Sequence, residues 1–153
     1  MQGHMTVSKS LRALVLFLML SVILAACSGT ASKGASTDGT VVKTEKGQYS
    51  NVTVAVLQTM LKDKDFTLIN VHIPYKGHIA QTDAFIPYDQ IDKNLDRFPA
   101  DKNAKIVLYC HGGNMSATAA RTLANLGYSN VYQLVGGFAD WQAAGLPLET
   151  QQP

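Results

Sequence analysis

The sequence predicts an α/β domain built around a mainly parallel sheet. Short runs of apolar residues alternate with stretches whose apolar residues recur at helical spacing, the pattern of strands alternating with helices. The most apolar run, Lys105-Ile-Val-Leu-Tyr109, leads through Cys110 and two glycines into a helix-like segment. The stretch from Gln48 to Pro153 is a domain of ordinary size, long enough to bury a core.

The elements follow in order. Val54, Leu57 and Leu61 fall on one helical face, and Thr53 can cap that helix. Phe66 to Val71 reads as a buried strand and Ala84 to Ile86 as a second, short one. Ile91 and Leu95 stand at helical spacing, so Asp89 to Arg97 is expected to be a short helix. Pro99 to Asn103 is a turn, and Lys105 to Tyr109 is the central strand. Ser116 to Leu126 is a helix with Ala120, Leu123 and Ala124 inward, and Gly127 stands at its C-cap. Val131 to Leu134 is a further strand. Phe138 to Ala144 is a last helix, ended by Gly145-Leu-Pro147.

The N-terminus is a separate object. Lys9 and Arg12 precede an apolar block, Leu14 to Leu24, which ends in Ala25-Ala26-Cys27. This is the layout of a secretory signal. The block falls short of the roughly 20 apolar residues that span a bilayer. Leu24-Ala-Ala-Cys27 resembles the lipobox of bacterial lipoproteins. That resemblance implies a signal peptide over 1–26, cleavage before Cys27, lipid on Cys27, and a domain held outside the cytoplasm on a membrane. Met5 is an alternative start. Ser28 to Gly47 is rich in Ser, Gly, Thr, Ala and Lys without an apolar period. With Cys27 it is expected to form a flexible tether over 27–47, with a reach on the order of 25 Å.

Charge excludes one class of partner. The whole chain has 13 Lys and Arg against 11 Asp and Glu, but residues 48–153 hold eight against nine. The positive excess lies in the signal and tether, and the domain has no basic patch for nucleic acid.

Cysteine use points to chemistry. Lipidation would take Cys27, which leaves Cys110 without an internal disulfide partner. In open α/β sheets ligands sit beyond the carboxyl ends of strands, which is where Cys110 stands. Gly112 and Gly113 allow a loop that turns backbone N–H groups toward the sulfur. The helix expected at about Ser116 adds its unpaired N–H groups and positive dipole end. Together these stabilise a thiolate, the nucleophilic form of sulfur. The residues alone leave a second reading open, in which Cys110 is a small buried apolar side chain.

A resemblance narrows the choice. Cys110-His-Gly-Gly-Asn-Met-Ser116 with Ala119-Ala120 resembles the active-site loop of rhodanese-like sulfurtransferases. Gly136-Gly137, Trp141, Gly145 and Pro147 match that family's ending in type and spacing. Leu68-Ile-Asn-Val71, Gly77-His-Ile79 and Ile86-Pro87 resemble further family elements. The resemblance implies a rhodanese-like α/β fold, with a central mainly parallel sheet flanked by helices on both faces. It implies sulfur transfer from a donor such as thiosulfate or a persulfide, through a Cys110 persulfide, to a thiol or cyanide-like acceptor, in two covalent half-reactions. The site it implies is Cys110 as nucleophile, with His111, Gly112, Gly113, Asn114, Met115 and Ser116 binding the substrate. No metal or organic cofactor is needed, and the domain is expected to be a monomer.

The sequence also departs from that pattern. The family's Asp-Val-Arg is Asn70-Val71-His72, and the segment from His72 to Gly77 is short. His111 and Met115 stand where many members carry arginine, which would bind an anionic donor bidentately. Weaker use of thiosulfate is therefore expected. Related phosphatases carry Arg six residues after the cysteine, and Ser116 stands there. His72, His78 and His111 lack zinc-ligand spacing. His78 is expected to be a hydrogen-bonded turn residue, Trp141 a core anchor, Met115 part of the pocket mouth and Arg121 a surface residue. Two alternatives stay open: a non-catalytic binding or sulfur-carrier module, and an extracytoplasmic redox thiol protein.

Overall fold

A computed structural model describes residues 39–151 of the chain. The signal, the lipidation site Cys27 and most of the tether lie outside the described residues.

Six strands form one sheet: β1 (Thr40–Lys43), β2 (Gln48–Val52), β3 (Thr67–Asn70), β4 (Ala84–Phe85), β5 (Ile106–Tyr109) and β6 (Val131–Leu134). Their order is β1-β2-β6-β5-β3-β4. Every neighbouring pair is parallel except β1 with β2. Among the described residues three α-helices accompany them: α1 (Val54–Lys62), α2 (Asn114–Asn125) and α3 (Gly137–Ala143). The expected α/β architecture is present.

Strand β5 shows how the two faces are built. Side chains alternate across a strand. Ile106, Leu108 and Cys110 enter one core with Ala119, Ala120 and Leu123 of α2. Val107 and Tyr109 enter the other, with Leu57 of α1 and Phe138 and Trp141 of α3. All four residues of β5 are fully buried, so the run reads as continuously apolar, as central parallel strands do. Removing a side chain such as Leu123 from this packing costs about 2–5 kcal/mol. Tyr109 carries its hydroxyl into the second core, where it accepts from the Ile79 N–H (3.0 Å) and pairs with Thr82 Oγ1 (2.7 Å). Burial pushes its pKa up to about 12.

The caps follow local chemistry. Thr53 Oγ1 accepts from Val56 N at 3.4 Å and starts α1. Gly127 lies just past α2 at φ +91°, and the next N–H, of Tyr128, bonds Leu123 O at 3.1 Å.

Three expectations need correction. Residues 40–47 are not tether: β1 pairs antiparallel with β2 from Thr40↔Asn51 to Lys43↔Gln48. Thr44 closes the hairpin to Gly47, and its hydroxyl bonds Asn125 Oδ1 of α2 at 2.7 Å. Strand β1 is an edge strand with mostly exposed side chains, so it leaves no apolar period in the sequence. Second, Asp89 to Arg97 is not an α-helix but two short 3-10 turns, Tyr88–Gln90 and Leu95–Arg97. Only Ile91 of the expected apolar pair is buried, and Leu95 is exposed. Asp92, Asn94 and Asp96 favour turns over helix interiors. Third, α2 begins at Asn114, two residues before the expected start, because Gly113 (φ +94°) already makes the turn.

Candidate active site

Cys110 is the first residue past β5, and α2 begins four residues later. Its sulfur therefore lies between a strand end and a helix N-terminus. The Gly113 N–H donates to Cys110 Sγ at 3.1 Å. Gly113 reaches this position at φ +94°, in the left-handed region that favours glycine. The expected cradle of several N–H groups resolves, by hydrogen-bond geometry, to this one contact.

Ser116 is fully buried in the first turn of α2. Its Oγ stands 3.6 Å from Cys110 Sγ, 2.9 Å from Gln133 Oε1 and 3.0 Å from Gly113 O. Gln133 in turn donates to Asn51 Oδ1 at 2.6 Å. A polar chain thus runs Asn51–Gln133–Ser116 beneath the cysteine, linking β2, β6 and α2. Such networks fix geometry when every member is satisfied.

Above the sulfur is an open pocket of about 210 Å³ lined by His72, Cys110, His111, Gly112, Asn114 and Met115. His111, Gly112 and Asn114 are exposed, Met115 is half-buried, and Gly113 and Ser116 are buried. Of the residues expected at the site, five therefore line the pocket, while Gly113 and Ser116 work from beneath. Gly112 has no positive φ, and a side chain there would meet open space. Of these two loop glycines only Gly113 uses the conformational freedom of glycine.

The glycine pair Gly136-Gly137 has a steric reason. Both lie at positive φ, and a Cβ on Gly137 would overlap the carbonyl oxygens of Cys110 and His111. The N–H groups of Phe138 and Ala139 bond those same carbonyls at 2.9 and 3.0 Å. The start of α3 therefore clamps the backbone that carries the thiol. Trp141 anchors the helix, buried to 6 % exposure, with its indole N–H on Pro147 O at 3.0 Å.

The other histidines separate clearly. His78 is a satisfied turn residue, between Tyr75 OH (2.6 Å) and Glu149 Oε2 (3.0 Å). His72, in the sequence a departure from the family pattern and a poor zinc ligand, lines the pocket beside Cys110. It is 7 % exposed, and neither ring nitrogen has a hydrogen-bond partner. Burial, with the charges of His111 and Lys76, holds its imidazole below the usual histidine range. Arg121 is exposed, as expected.

The sequence matches the Rhodanese-like domain family over residues 53–144. The chain belongs to that family. Thiosulfate sulfurtransferase GlpE of Vibrio cholerae is 28 % identical over 103 residues, 66 % of this chain and 95 % of that protein. The GlpE of Actinobacillus succinogenes is 46 % identical over 50 residues, 33 % of this chain and 45 % of that protein. A rhodanese-related protein from Thermoplasma volcanium shares the fold with a TM-score of 0.57 and 27 % identity, over 66 % of this chain and 98 % of its own. The rhodanese-like sheet and helices thus account for the domain.

Proposed function

We propose that the domain is a sulfurtransferase that passes sulfane sulfur through a Cys110 persulfide. The observation that carries this reading is the free Cys110 thiol at a pocket floor, facing the Gly113 N–H at 3.1 Å and the start of α2. Kinship with thiosulfate sulfurtransferases supports it.

In the first half-reaction the Cys110 thiolate attacks the outer sulfur of thiosulfate. The S–S bond of the donor breaks, and sulfite leaves with its electron pair. A Cys110–S–S⁻ persulfide remains. In the second half-reaction an acceptor such as cyanide or a thiolate attacks the outer sulfur, and Cys110 thiolate leaves. No net redox change occurs and no cofactor is consumed. The Gly113 N–H and the helix N-terminus favour the negative charge that alternates between the thiolate and the persulfide. Residues 111–116 contain no Lys or Arg, so the loop holds an anionic donor without a guanidinium. This supports a donor preference different from that of members with loop arginines.

Thiocyanate formation from thiosulfate and cyanide tests the reading. Wild type should turn over with ping-pong kinetics, and Cys110→Ser should be inactive while its thermal transition stays within a few degrees. Equal turnover by Cys110→Ser would end it.

The N-terminal sequence supports a second element of the proposal, a lipid anchor on Cys27 that places the domain outside the cytoplasmic membrane. Basic residues at 9 and 12, the apolar block 14–24 and Ala25-Ala26-Cys27 are its grounds. Cys27→Ala should abolish lipid labelling in cells and release or mislocalise the chain. Unchanged membrane attachment would contradict the anchor.

A further inference from the structure

Buried polar atoms in folded proteins nearly always have hydrogen-bond partners. The buried polar side chains here obey the rule with one exception. Asn70 bonds Gly77 O and the His72 N–H, Thr82 bonds Ile79 O, His78 bonds Tyr75 and Glu149, and Ser116 and Gln133 bond each other. Among the described residues only the two ring nitrogens of His72 are buried without a partner. This ring sits in the wall of the Cys110 pocket.

Its placement is fixed on every side that does not use those nitrogens. Val71 N bonds Tyr109 O at 2.8 Å, so the end of β3 runs beside the end of β5. The His72 backbone N–H donates to Asn70 Oδ1 at 2.9 Å, and Asn70 Nδ2 donates to Gly77 O at 3.0 Å. The second bond needs the amide that distinguishes Asn70 from aspartate. The ring itself meets Phe138 edge-on at 5.4 Å (82°) and His111 at 5.6 Å. Phe138 also packs on His111, at 5.0 Å. Aromatic packing orients both imidazoles and satisfies neither His72 nitrogen, although His72 borders the Cys110 pocket.

We propose that His72 is a donor-binding residue, whose imidazole N–H hydrogen-bonds the small sulfur-bearing anion that enters the Cys110 pocket. The assignment rests on the sulfur-transfer reading of Cys110 for the identity of that anion. It supplies the charged-ligand contact that the loop, without Lys or Arg from 111 to 116, does not. A neutral imidazole has one N–H to donate and one acceptor nitrogen, and an anion at the N–H favours uptake of a second proton. Other ionisable groups near the ring are His111 and Lys76, together with Cys110 across the pocket. The imidazole contact is shorter in reach and carries one hydrogen bond where a guanidinium offers two.

The test uses residues 28–153 with His72→Phe, which keeps an aromatic ring and removes the donor, and His72→Gln, which keeps an N–H. The first readout is independent of sulfur transfer: the ratio of Cys110 alkylation rates by anionic iodoacetate and neutral iodoacetamide. The ratio should fall about tenfold in His72→Phe, the loss expected for a hydrogen bond to a charged group, and recover in His72→Gln. The second readout is the thiosulfate reaction, in which His72→Phe should raise KM about tenfold with kcat changed less. An unchanged ratio in His72→Phe, or a His72→Gln protein indistinguishable from it, would overturn the assignment. A wild type that takes no sulfur but keeps the iodoacetate preference would overturn the sulfur-transfer reading and support His72 as the anion contact.

Discussion

Gly137 has no room for a side chain because the carbonyl oxygen of Cys110 occupies the place where a Cβ would stand. The contact joins the start of α3 to the backbone of the cysteine, and two N–H···O bonds from Phe138 and Ala139 complete the join. The glycine pair is thus a steric requirement of the loop that carries Cys110, although Gly137 lies 27 residues further on than the cysteine.

Gly137→Ala should therefore move the loop. Two effects add: overlap with backbone atoms, and a φ of +58° that disfavours any Cβ. Overpacking of this kind costs about 1–3 kcal/mol. We expect a lower urea midpoint and slower sulfur loading of Cys110. A variant with wild-type midpoint and rate would show that the loop does not depend on this contact.

The two loop glycines should respond differently. Gly112 faces open space at an ordinary φ, so Gly112→Ala should stay within about 0.5 kcal/mol of wild type. Gly113→Ala meets a strained φ of +94° and Gly136 N at 3.2 Å, and it carries the N–H that faces the sulfur. It should lose about 1–2 kcal/mol and load sulfur more slowly. Equal behaviour of the two variants in denaturation and loading would contradict this division of roles.

Ser116 is buried between Cys110 and Gln133. Ser116→Ala leaves Gln133 Oε1 without its hydroxyl donor, and a buried group so orphaned costs about 1–3 kcal/mol. Adding Gln133→Leu removes the orphan, so the double variant should cost less than the sum of the singles. A double-mutant cycle in urea measures this, and strict additivity would mean that the pair is uncoupled.

Stability should fall on both sides of neutrality. Burial holds the Tyr109 phenol at about 12 in the folded protein, against about 10 for an unperturbed tyrosine. The unfolded chain gives up its phenolic proton first, so the contribution is complete below pH 10 and lost as pH rises toward 12. Two units correspond to about 3 kcal/mol, and Tyr109→Phe should flatten that window. His72 has the opposite sign. Burial holds its imidazole below the usual histidine value of about 6.5, so the unfolded chain binds the extra proton more readily. Stability is then complete above pH 6.5 and declines as pH falls below it. His72→Phe should flatten the acid side in denaturation curves from pH 7 to 5. An acid limb identical to wild type would remove His72 as its source.

Much of the fold was legible because its signals are local. The buried strands read as apolar runs, and Thr53, Gly127 and Trp141 stand where cap and core chemistry require them. Strand β1 was hidden because its side chains are mostly exposed and its order comes from pairing with β2. The helix expected at 89–97 failed because Ile91 and Leu95 share a spacing but not a burial. At the site, Cys110 announced itself by position. His72 and the chain from Gln133 to Asn51 did not, since their roles depend on strands that meet only in the folded sheet. The departure from the family at Asn70-Val71-His72 was the one available signal for His72.

The most direct measurement is intact-protein mass spectrometry of residues 28–153 before and after thiosulfate. We expect a gain of one sulfur atom that disappears on adding cyanide and does not occur in Cys110→Ser. A wild-type mass unchanged by thiosulfate and by a small persulfide donor, with Cys110 still open to alkylation, would contradict the persulfide relay.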